Sequence, residues 1–142
     1  MRIYLASSWR NPFQADMVAA LRADGHEVYD FKNPPHGKGG FSWGEIDPNW
    51  QNWTAAQYVA ALSHPIAEAG YKSDMDAMEW AEACILLLPC GRSAHLEAGW
   101  FAGKGKPVYV LTRDGEVPGL IASMCTAIFG NHFELLRSIR GY

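Results

Sequence analysis

The chain has 142 residues, with 12 Lys or Arg against 15 Asp or Glu and a formal net charge of −3. This length predicts one domain, and we expect a homodimer or higher homo-oligomer because so short a chain encloses an active site poorly alone. The absence of a long basic run argues against a nucleic acid polymer or a membrane as partner and favours a small molecule. Without a signal-peptide pattern or a long apolar window, the sequence predicts a cytoplasmic protein.

Cysteine and histidine are too scattered to predict a metal site. The three cysteines have no C-x-x-C spacing, which predicts reduced thiols and no structural zinc. The glycine-rich fingerprints of dinucleotide binding and of phosphoryl transfer are absent, so we expect no cofactor.

The chain opens with the pattern of a β-α-β unit. Apolar residues predict a strand over 2–7, Asn11-Pro12 predicts the start of a helix that ends at Gly25, and 26–31 reads as a second strand. A Trp-rich insertion follows at about 33–53, too long for a simple connector. It is either a lid over a bound ligand or an oligomer contact, within a single domain spanning 1–142.

Capping patterns and apolar periodicity place the remaining elements. Thr54 and Gln57 have capping-box spacing before a helix that ends near Ser63, and Ser73 is predicted to cap the next helix, over 74–82. The other expected elements are strands at 84–88, 107–111 and 126–129, and helices at 94–103, 119–124 and 131–139. Their alternation predicts an α/β fold: a doubly wound, mostly parallel five-stranded sheet, Rossmann-like or flavodoxin-like, with helices on both faces.

Glu97 lies just beyond the most apolar predicted strand. The carboxyl ends of strands are where open α/β sheets bind ligands, and a carboxylate in the first turns of a helix tends to stay ionised. Glu97 is therefore a candidate nucleophile, although a solvated helix residue fits the pattern equally well. Asp74 has an alternative of its own, as a first-turn acid that complements a helix dipole.

Three segments together resemble the nucleoside 2-deoxyribosyltransferase superfamily. They are Ile3-Tyr4-Leu5-Ala6-Ser7-Ser8-Trp9-Arg10, Ser73-Asp74-Met75-Asp76-Ala77-Met78, and Gly91-Arg92-Ser93-Ala94-His95-Leu96-Glu97-Ala98-Gly99 with Gly105-Lys106-Pro107-Val108 after it. The spacing of Tyr4, Ser8 and Arg10 is more similar to the 2'-deoxynucleoside 5'-phosphate N-hydrolase branch. His95 and Ser93 depart from the phosphate loop of that branch.

The resemblance implies an enzyme that cleaves or transfers the N-glycosidic bond of a nucleoside or its 5'-monophosphate. It implies that Glu97 attacks the anomeric carbon, that Asp74 handles the nucleobase proton and that Tyr4 positions the nucleophile or the sugar. Substrate-binding residues implied in the same way are Ser8, Trp9, Arg10, Asp76, Gly91, Arg92 and Ser93.

Other functions remain open at the sequence level. A serine hydrolase would need Gly at position 95, where His stands. A thiol nucleophile at Cys90 is an alternative, although a Cys after a buried strand is more often a packing residue. A non-catalytic nucleotide-binding or sensing module of the same fold is the main competing hypothesis.

Overall fold

The computed structural model describes residues 1–35 and 40–140. The strands in this part of the chain are Arg2–Ala6 (β1), Glu27–Tyr29 (β2), Ala83–Leu87 (β3), Val108–Leu111 (β4) and Ala127–Phe129 (β5). The α-helices are Gln14–Ala23 (α1), Ala55–Ala61 (α2), Pro65–Trp80 (α3), Arg92–Gly103 (α4) and His132–Ile139 (α5). Short 3-10 helices occupy Trp43–Glu45, Trp50–Asn52 and Leu120–Met124.

All the strand pairs in the described residues are parallel, and the strand order is β2-β1-β3-β4-β5. This confirms the predicted doubly wound α/β sheet. The chain moves outward from β1 to β2 and then returns to the other side of β1 to form β3. The order therefore reverses between β1 and β3, and their carboxyl ends flank the position where sheets of this kind bind ligands.

Residues that alternate along the strands cover the two faces of the sheet. Ile3 and Leu5 of β1 pack with Ile85 of β3 and with apolar residues of α1 and α5. Residues of the opposite parity, including Tyr4, face α4, where Tyr4 contacts Phe101. Helices therefore lie on both faces, as predicted, and the side chain of Tyr4 belongs to the α4 face.

The chain divides into two compact units. One comprises Met1–Asp30 and Met78–Tyr142 and contains the sheet; the other is Phe31–Ala77. In the second unit, Trp43 makes edge contacts with Phe41, Trp53 and Tyr58 and is the centre of an aromatic cluster. Positions 36–39 of the predicted insertion lie outside the described residues.

Local capping signals account for several element boundaries. The predicted box of Thr54 and Gln57 is present at α2, and the side chain of Asn131 accepts a hydrogen bond from a backbone N–H at the start of α5. Gly25 has a φ of 91°, which only glycine adopts readily, and it ends the α1 turn where predicted. These three signals act through contacts between near neighbours, which is why the sequence reveals them.

The predicted N-cap at Ser73 is wrong. Helix α3 begins at Pro65, so Ser73 and Asp74 lie in its interior. Proline ends the preceding helix but is favourable in the first turn of a new one, because its missing N–H has no helical partner there. Asp74 is therefore not a first-turn acid, and the helix-dipole interpretation of that residue does not hold.

Lys106 anchors the last turn of α3. Its Nζ donates to the backbone oxygens of Met78 at 3.0 Å, Glu79 at 3.1 Å and Ala81 at 2.7 Å. A cation at the C-terminus of a helix satisfies carbonyls that have no helical N–H and complements the dipole.

Within the described residues, none of the helices combines the length and the apolar character needed to span a bilayer.

Candidate active site

Two loops meet where β1 and β3 end. The hydroxyl of Ser8, in the loop after β1, accepts a hydrogen bond of 2.8 Å from the backbone N–H of Gly91, in the loop after β3. Ser7 donates from its hydroxyl to the backbone oxygen of Leu87 at 2.9 Å. These two contacts place the predicted substrate-binding residues Ser8 and Gly91 side by side at the carboxyl edge of the sheet.

Asn11 is the buried link beneath these loops. Its side-chain N–H groups donate to the Ser7 hydroxyl at 2.9 Å and to the backbone oxygens of Leu87 and Pro89, each at 3.2 Å. Its Oδ1 accepts from the backbone N–H of Phe13 at 2.8 Å. Sequence reasoning assigned Asn11 only to the start of a helix and missed its role as a bridge between strand ends, because no local pattern encodes a partner so distant in sequence.

The central contact of the site joins Tyr4 to Glu97. Tyr4 is only 2% exposed, and its ring stacks on Tyr29 with centroids 5.4 Å apart and planes inclined by 12°. Phe101 packs against the same ring at 5.6 Å. The phenolic hydroxyl donates a hydrogen bond to Oε2 of Glu97. Packing on two aromatic rings fixes the hydroxyl, and the hydroxyl in turn orients the carboxylate.

Glu97 sits deeper in its helix than the sequence predicted. Helix α4 begins at Arg92 with Gly91 as its N-cap, so Glu97 is in the second turn, beyond the unpaired N–H groups of the first. The expectation that those groups keep it ionised does not fit this position. The partner that the structure provides for the carboxylate is the hydroxyl of Tyr4.

The thiols near this carboxylate are held in their neutral form. Cys84 pairs with Tyr4 across β1 and β3, and its pKa is raised well above the usual value by burial and then by the negative charge of Glu97. Burial, followed by Glu116 and Glu97, raises the pKa of Cys90 to about 11. Since the thiolate is the reactive form, a nucleophilic Cys90 is disfavoured.

The remaining predicted residues of the sheet unit surround this edge with exposed side chains. Trp9 is 51% exposed, and Arg10, Arg92 and Ser93 are exposed as well. Among residues 1–35 and 40–140, the side chains of Arg10, Arg92 and Ser93 have no hydrogen-bond or ion-pair partner. Their side chains are therefore available to an incoming molecule.

Asp74 and Asp76 belong to the unit Phe31–Ala77, in the part of α3 that precedes its last turn. Asp74 is partly buried. Asp76 is exposed and forms an ion pair with Lys72 one helical turn away, an arrangement typical of a solvated helix surface.

In the described residues, no cluster of three or more His, Cys, Asp or Glu side chains has the geometry to hold a metal ion.

The sequence predicted no role for one cation at this edge. Arg113 follows β4, and its guanidinium carbon lies 3.4 Å from the centroid of the Phe13 ring, in the loop after β1. Nothing in the local sequence distinguishes Arg113 from a surface arginine, because the turn that carries it reads simply as polar. Only the strand order brings it to the loop after β1.

Solved structures match the chain over most of its length. The 2-deoxyribosyltransferase of Bacillus psychrosaccharolyticus has a TM-score of 0.64 and 21% identity, covering 100% of this chain and 92% of that one. The Clostridium botulinum CMP N-glycosidase BcmB has a TM-score of 0.54 and 18% identity, covering 98% of each chain. A conserved protein of Enterococcus faecalis V583 has a TM-score of 0.59 and 15% identity, covering 96% of this chain and 95% of that one.

A scan against protein-family models and a search of curated proteins give no match. At these identities the structural likeness is one of fold. The neighbours include a 2-deoxyribosyltransferase and a CMP N-glycosidase, and they match the superfamily that the sequence motifs resemble. The chain therefore shares the α/β fold of these solved structures.

Proposed function

We propose that this protein is an enzyme that cleaves or transfers the N-glycosidic bond of a nucleoside or nucleoside 5'-monophosphate through a covalent glycosyl ester on Glu97. The observation that carries the proposal is the hydrogen bond from Tyr4 to Glu97, at the reversal point of the strand order. The fold supports it, since solved structures of similar fold include a 2-deoxyribosyltransferase and a CMP N-glycosidase.

In the first step, a carboxylate oxygen of Glu97 forms a bond to the anomeric carbon while the bond from that carbon to the base nitrogen breaks. The electron pair of the broken bond leaves with the base, which takes up a proton; we assign that proton transfer to Asp74. The sugar passes through a state with oxocarbenium character, which the negative charge of Glu97 stabilises. A fixed carboxylate suits this step because less ordering is needed when the substrate binds.

In the second step, an acceptor attacks the anomeric carbon and releases the carboxylate of Glu97. Water as acceptor completes a hydrolysis, and a second base completes a transfer; in either case the proton that the acceptor gives up returns to Asp74, which lost one in the first step. Tyr4 supports both steps because its hydroxyl holds the carboxylate in one orientation. The loops after β1 and β3 bind the rest of the substrate, through Ser8, Trp9, Arg10, Gly91, Arg92 and Ser93, and we assign a further contact with the substrate to Asp76.

A homo-oligomer remains part of the proposal. Val117, Leu120 and Ile121 lie between β4 and β5 and are 88%, 84% and 70% exposed. Apolar side chains so close together on a surface are typical of an interface, and a second copy of the chain would cover them. Light scattering coupled to size exclusion would measure the subunit number, and a monomer at micromolar concentration would contradict this expectation.

The enzymatic proposal is tested by following free base. The protein is incubated with ribonucleosides, 2'-deoxynucleosides and the 5'-monophosphates of both, and chromatography detects the base. We expect release from at least one substrate and its loss in Glu97→Gln, with Glu79→Gln, an exposed residue of α3, as a matched control. If Glu97→Gln released base at the wild-type rate, Glu97 would not be the nucleophile.

Two further measurements separate the variants of the proposal. A second free base in the reaction distinguishes transfer, which yields a new nucleoside, from hydrolysis. Intact mass after incubation with a 2'-fluoro nucleoside analogue detects the glycosyl ester, because an electron-withdrawing fluorine slows its breakdown. Tight nucleotide binding without base release from any substrate would favour the non-catalytic binding module instead.

A further inference from the structure

Arg113 contacts the loop after β1 at the carboxyl edge of the sheet. It lies two residues beyond β4, whereas Phe13 belongs to the loop after β1, and β3 lies between these two strands. The guanidinium carbon lies 3.4 Å from the Phe13 centroid, and the loop that carries Phe13 reaches the carboxyl end of β3, where Asn11 donates to the backbone oxygens of Leu87 and Pro89. The loop containing Gly91 leaves the sheet at that end. The guanidinium therefore lies at the same edge as the candidate active site.

Both ends of this contact are held in place. On one side, the backbone N–H of Phe13 donates to Asn11, whose side chain is bonded to the backbone oxygen of Pro89 at the exit of β3. On the other, the backbone oxygen of Arg113 accepts from Glu116 N at 3.0 Å, and the Thr112 hydroxyl donates to Glu116 O at 3.0 Å. The turn and the ring together leave the guanidinium little freedom, so its orientation is set before a ligand arrives.

The Arg113 guanidinium lacks an acidic partner in the part of the chain that the structure describes. Within residues 1–35 and 40–140, its buried Nε finds no hydrogen-bond acceptor and no carboxylate forms an ion pair with it. Glu116, in the same turn, forms no salt bridge with Arg113 among these residues. A guanidinium stacked on a ring presents its in-plane donors in a fork that suits an oxyanion, and Arg113 as a whole is partly exposed.

We propose that Arg113, stacked on Phe13, binds the phosphate monoester of a nucleoside 5'-monophosphate and makes the enzyme prefer nucleotides to nucleosides. The inference rests on the proposed function for the nucleoside part of the ligand, while the oxyanion follows from the geometry. Arg10 and Arg92 are exposed and untethered, so they lose more freedom on binding than Arg113 does. Arg113 therefore contributes more to discrimination between phosphorylated and unphosphorylated substrates than either of them.

The test compares Arg113→Gln, Arg113→Lys and Arg137→Gln with the wild type. Arg137 is an exposed residue of α5, and its replacement changes the net charge equally. Calorimetry measures binding of the four 2'-deoxynucleoside 5'-monophosphates, the matching nucleosides and inorganic phosphate, and base release is measured in parallel. Circular dichroism checks that each variant is folded.

We expect Arg113→Gln to weaken monophosphate binding about 10- to 100-fold, the range for a lost charge-assisted hydrogen bond, and to change nucleoside binding less than about threefold. Arg113→Lys should recover part of the loss, because a lysine keeps the charge and lacks the fork. Arg137→Gln should match the wild type. Inorganic phosphate should follow the same ranking: Arg113→Gln should weaken its binding most, Arg113→Lys less, and Arg137→Gln should bind it like the wild type.

Three results would overturn the proposal: unchanged monophosphate binding in Arg113→Gln, an equal loss for nucleosides and monophosphates, or no binding of monophosphates by the wild type. An equal loss would mean that Arg113 has a structural role in supporting the loop after β1 and does not bind the phosphate. If the wild type binds monophosphates, Arg113→Gln does not, and neither releases base, the phosphate site stands and the proposed enzymatic function fails.

Discussion

The hydroxyl of Tyr4 and the carboxylate of Glu97 are hydrogen-bonded although the two residues are 93 positions apart in the chain. Tyr4 comes from β1 and Glu97 from the second turn of α4. Strand packing fixes the first and helix packing the second. The nucleophile proposed here is thus oriented by the core of the sheet unit.

Tyr4→Phe tests this relationship with the smallest change. The ring stays stacked on Tyr29, so the fold should be retained, while the carboxylate loses one donor. A hydrogen bond to a charged group is worth roughly 1.5–3 kcal/mol, and we expect kcat to fall about 10- to 100-fold. Tyr71→Phe, at a residue that is 69% exposed, serves as the control. A Tyr4→Phe enzyme with wild-type kcat would remove Tyr4 from the mechanism.

Ser8→Ala tests the tie between the two loops. The substitution leaves the backbone N–H of Gly91 without its side-chain acceptor. Because a neutral hydrogen bond contributes about 0.5–1.5 kcal/mol, KM should rise about 2- to 12-fold while the melting temperature changes little. Ser138→Ala, at an exposed position of α5, is the matched control. An unchanged KM would show that the loops hold their positions without this bond.

Thiol reagents should leave base release intact. With a pKa of about 11, Cys90 is a thiolate in only about one molecule in a thousand at pH 8, and only thiolates react. The buried Cys84 should be slower still. Peptide mass spectrometry after brief iodoacetamide treatment would measure the modification of each cysteine. Rapid alkylation of Cys90 together with loss of activity would revive the thiol nucleophile.

Lys106→Met should destabilise the protein by roughly 1.5–3 kcal/mol, because three backbone oxygens around the end of α3 lose their cationic donor. Lys104→Met is a close control. Both ammonium groups lie 5.3 Å from the Trp100 ring, but only Lys106 is hydrogen-bonded to those oxygens. Urea unfolding would give the two values, and an equal effect of both substitutions would mean that the ring contact dominates.

Stability should fall as the solution is acidified through the titration of His26. Burial lowers the pKa of this imidazole, the Met1 ammonium lowers it further, and Asp24 opposes both. The unfolded chain therefore binds a proton more readily, so this contribution is complete above pH about 6.5 and is lost as the pH falls towards the depressed value in the folded state. Melting temperatures from pH 7.5 to 5 should decline less in His26→Gln. Parallel curves for the two proteins would exclude His26 as the cause.

The parts of this molecule that the sequence predicts are those with local causes. The capping box at Thr54, the side-chain cap at Asn131 and the left-handed turn at Gly25 depend on near neighbours, and all three are present. Five apolar strands separated by helices left few alternatives to a doubly wound sheet. The start of α3 was misjudged because a proline can both end one helix and begin another, and local propensity does not choose between them.

The same distinction between local and distant contacts applies to the residues of the candidate site. Glu97 stands out because it follows a conspicuous apolar strand, but its partner Tyr4 could be named only by resemblance, since pairing between β1 and α4 has no local signature. Asn11 and Arg113 act through residues that are distant in sequence, and neither role was predicted. Side chains that join strand ends are found by topology, and topology comes from the whole chain.

The bonds around Asn11 also separate the framework of the binding edge from the positions that can be redesigned. Ser7 and Asn11 tie the strand ends together, so most replacements there would cost stability before they altered selectivity. The side chains of Arg10, Arg92 and Ser93 are exposed at the same edge and, in the described residues, make no hydrogen bond that ties the strand ends together. A library designed to change substrate choice should randomise these three and leave Ser7 and Asn11 unchanged.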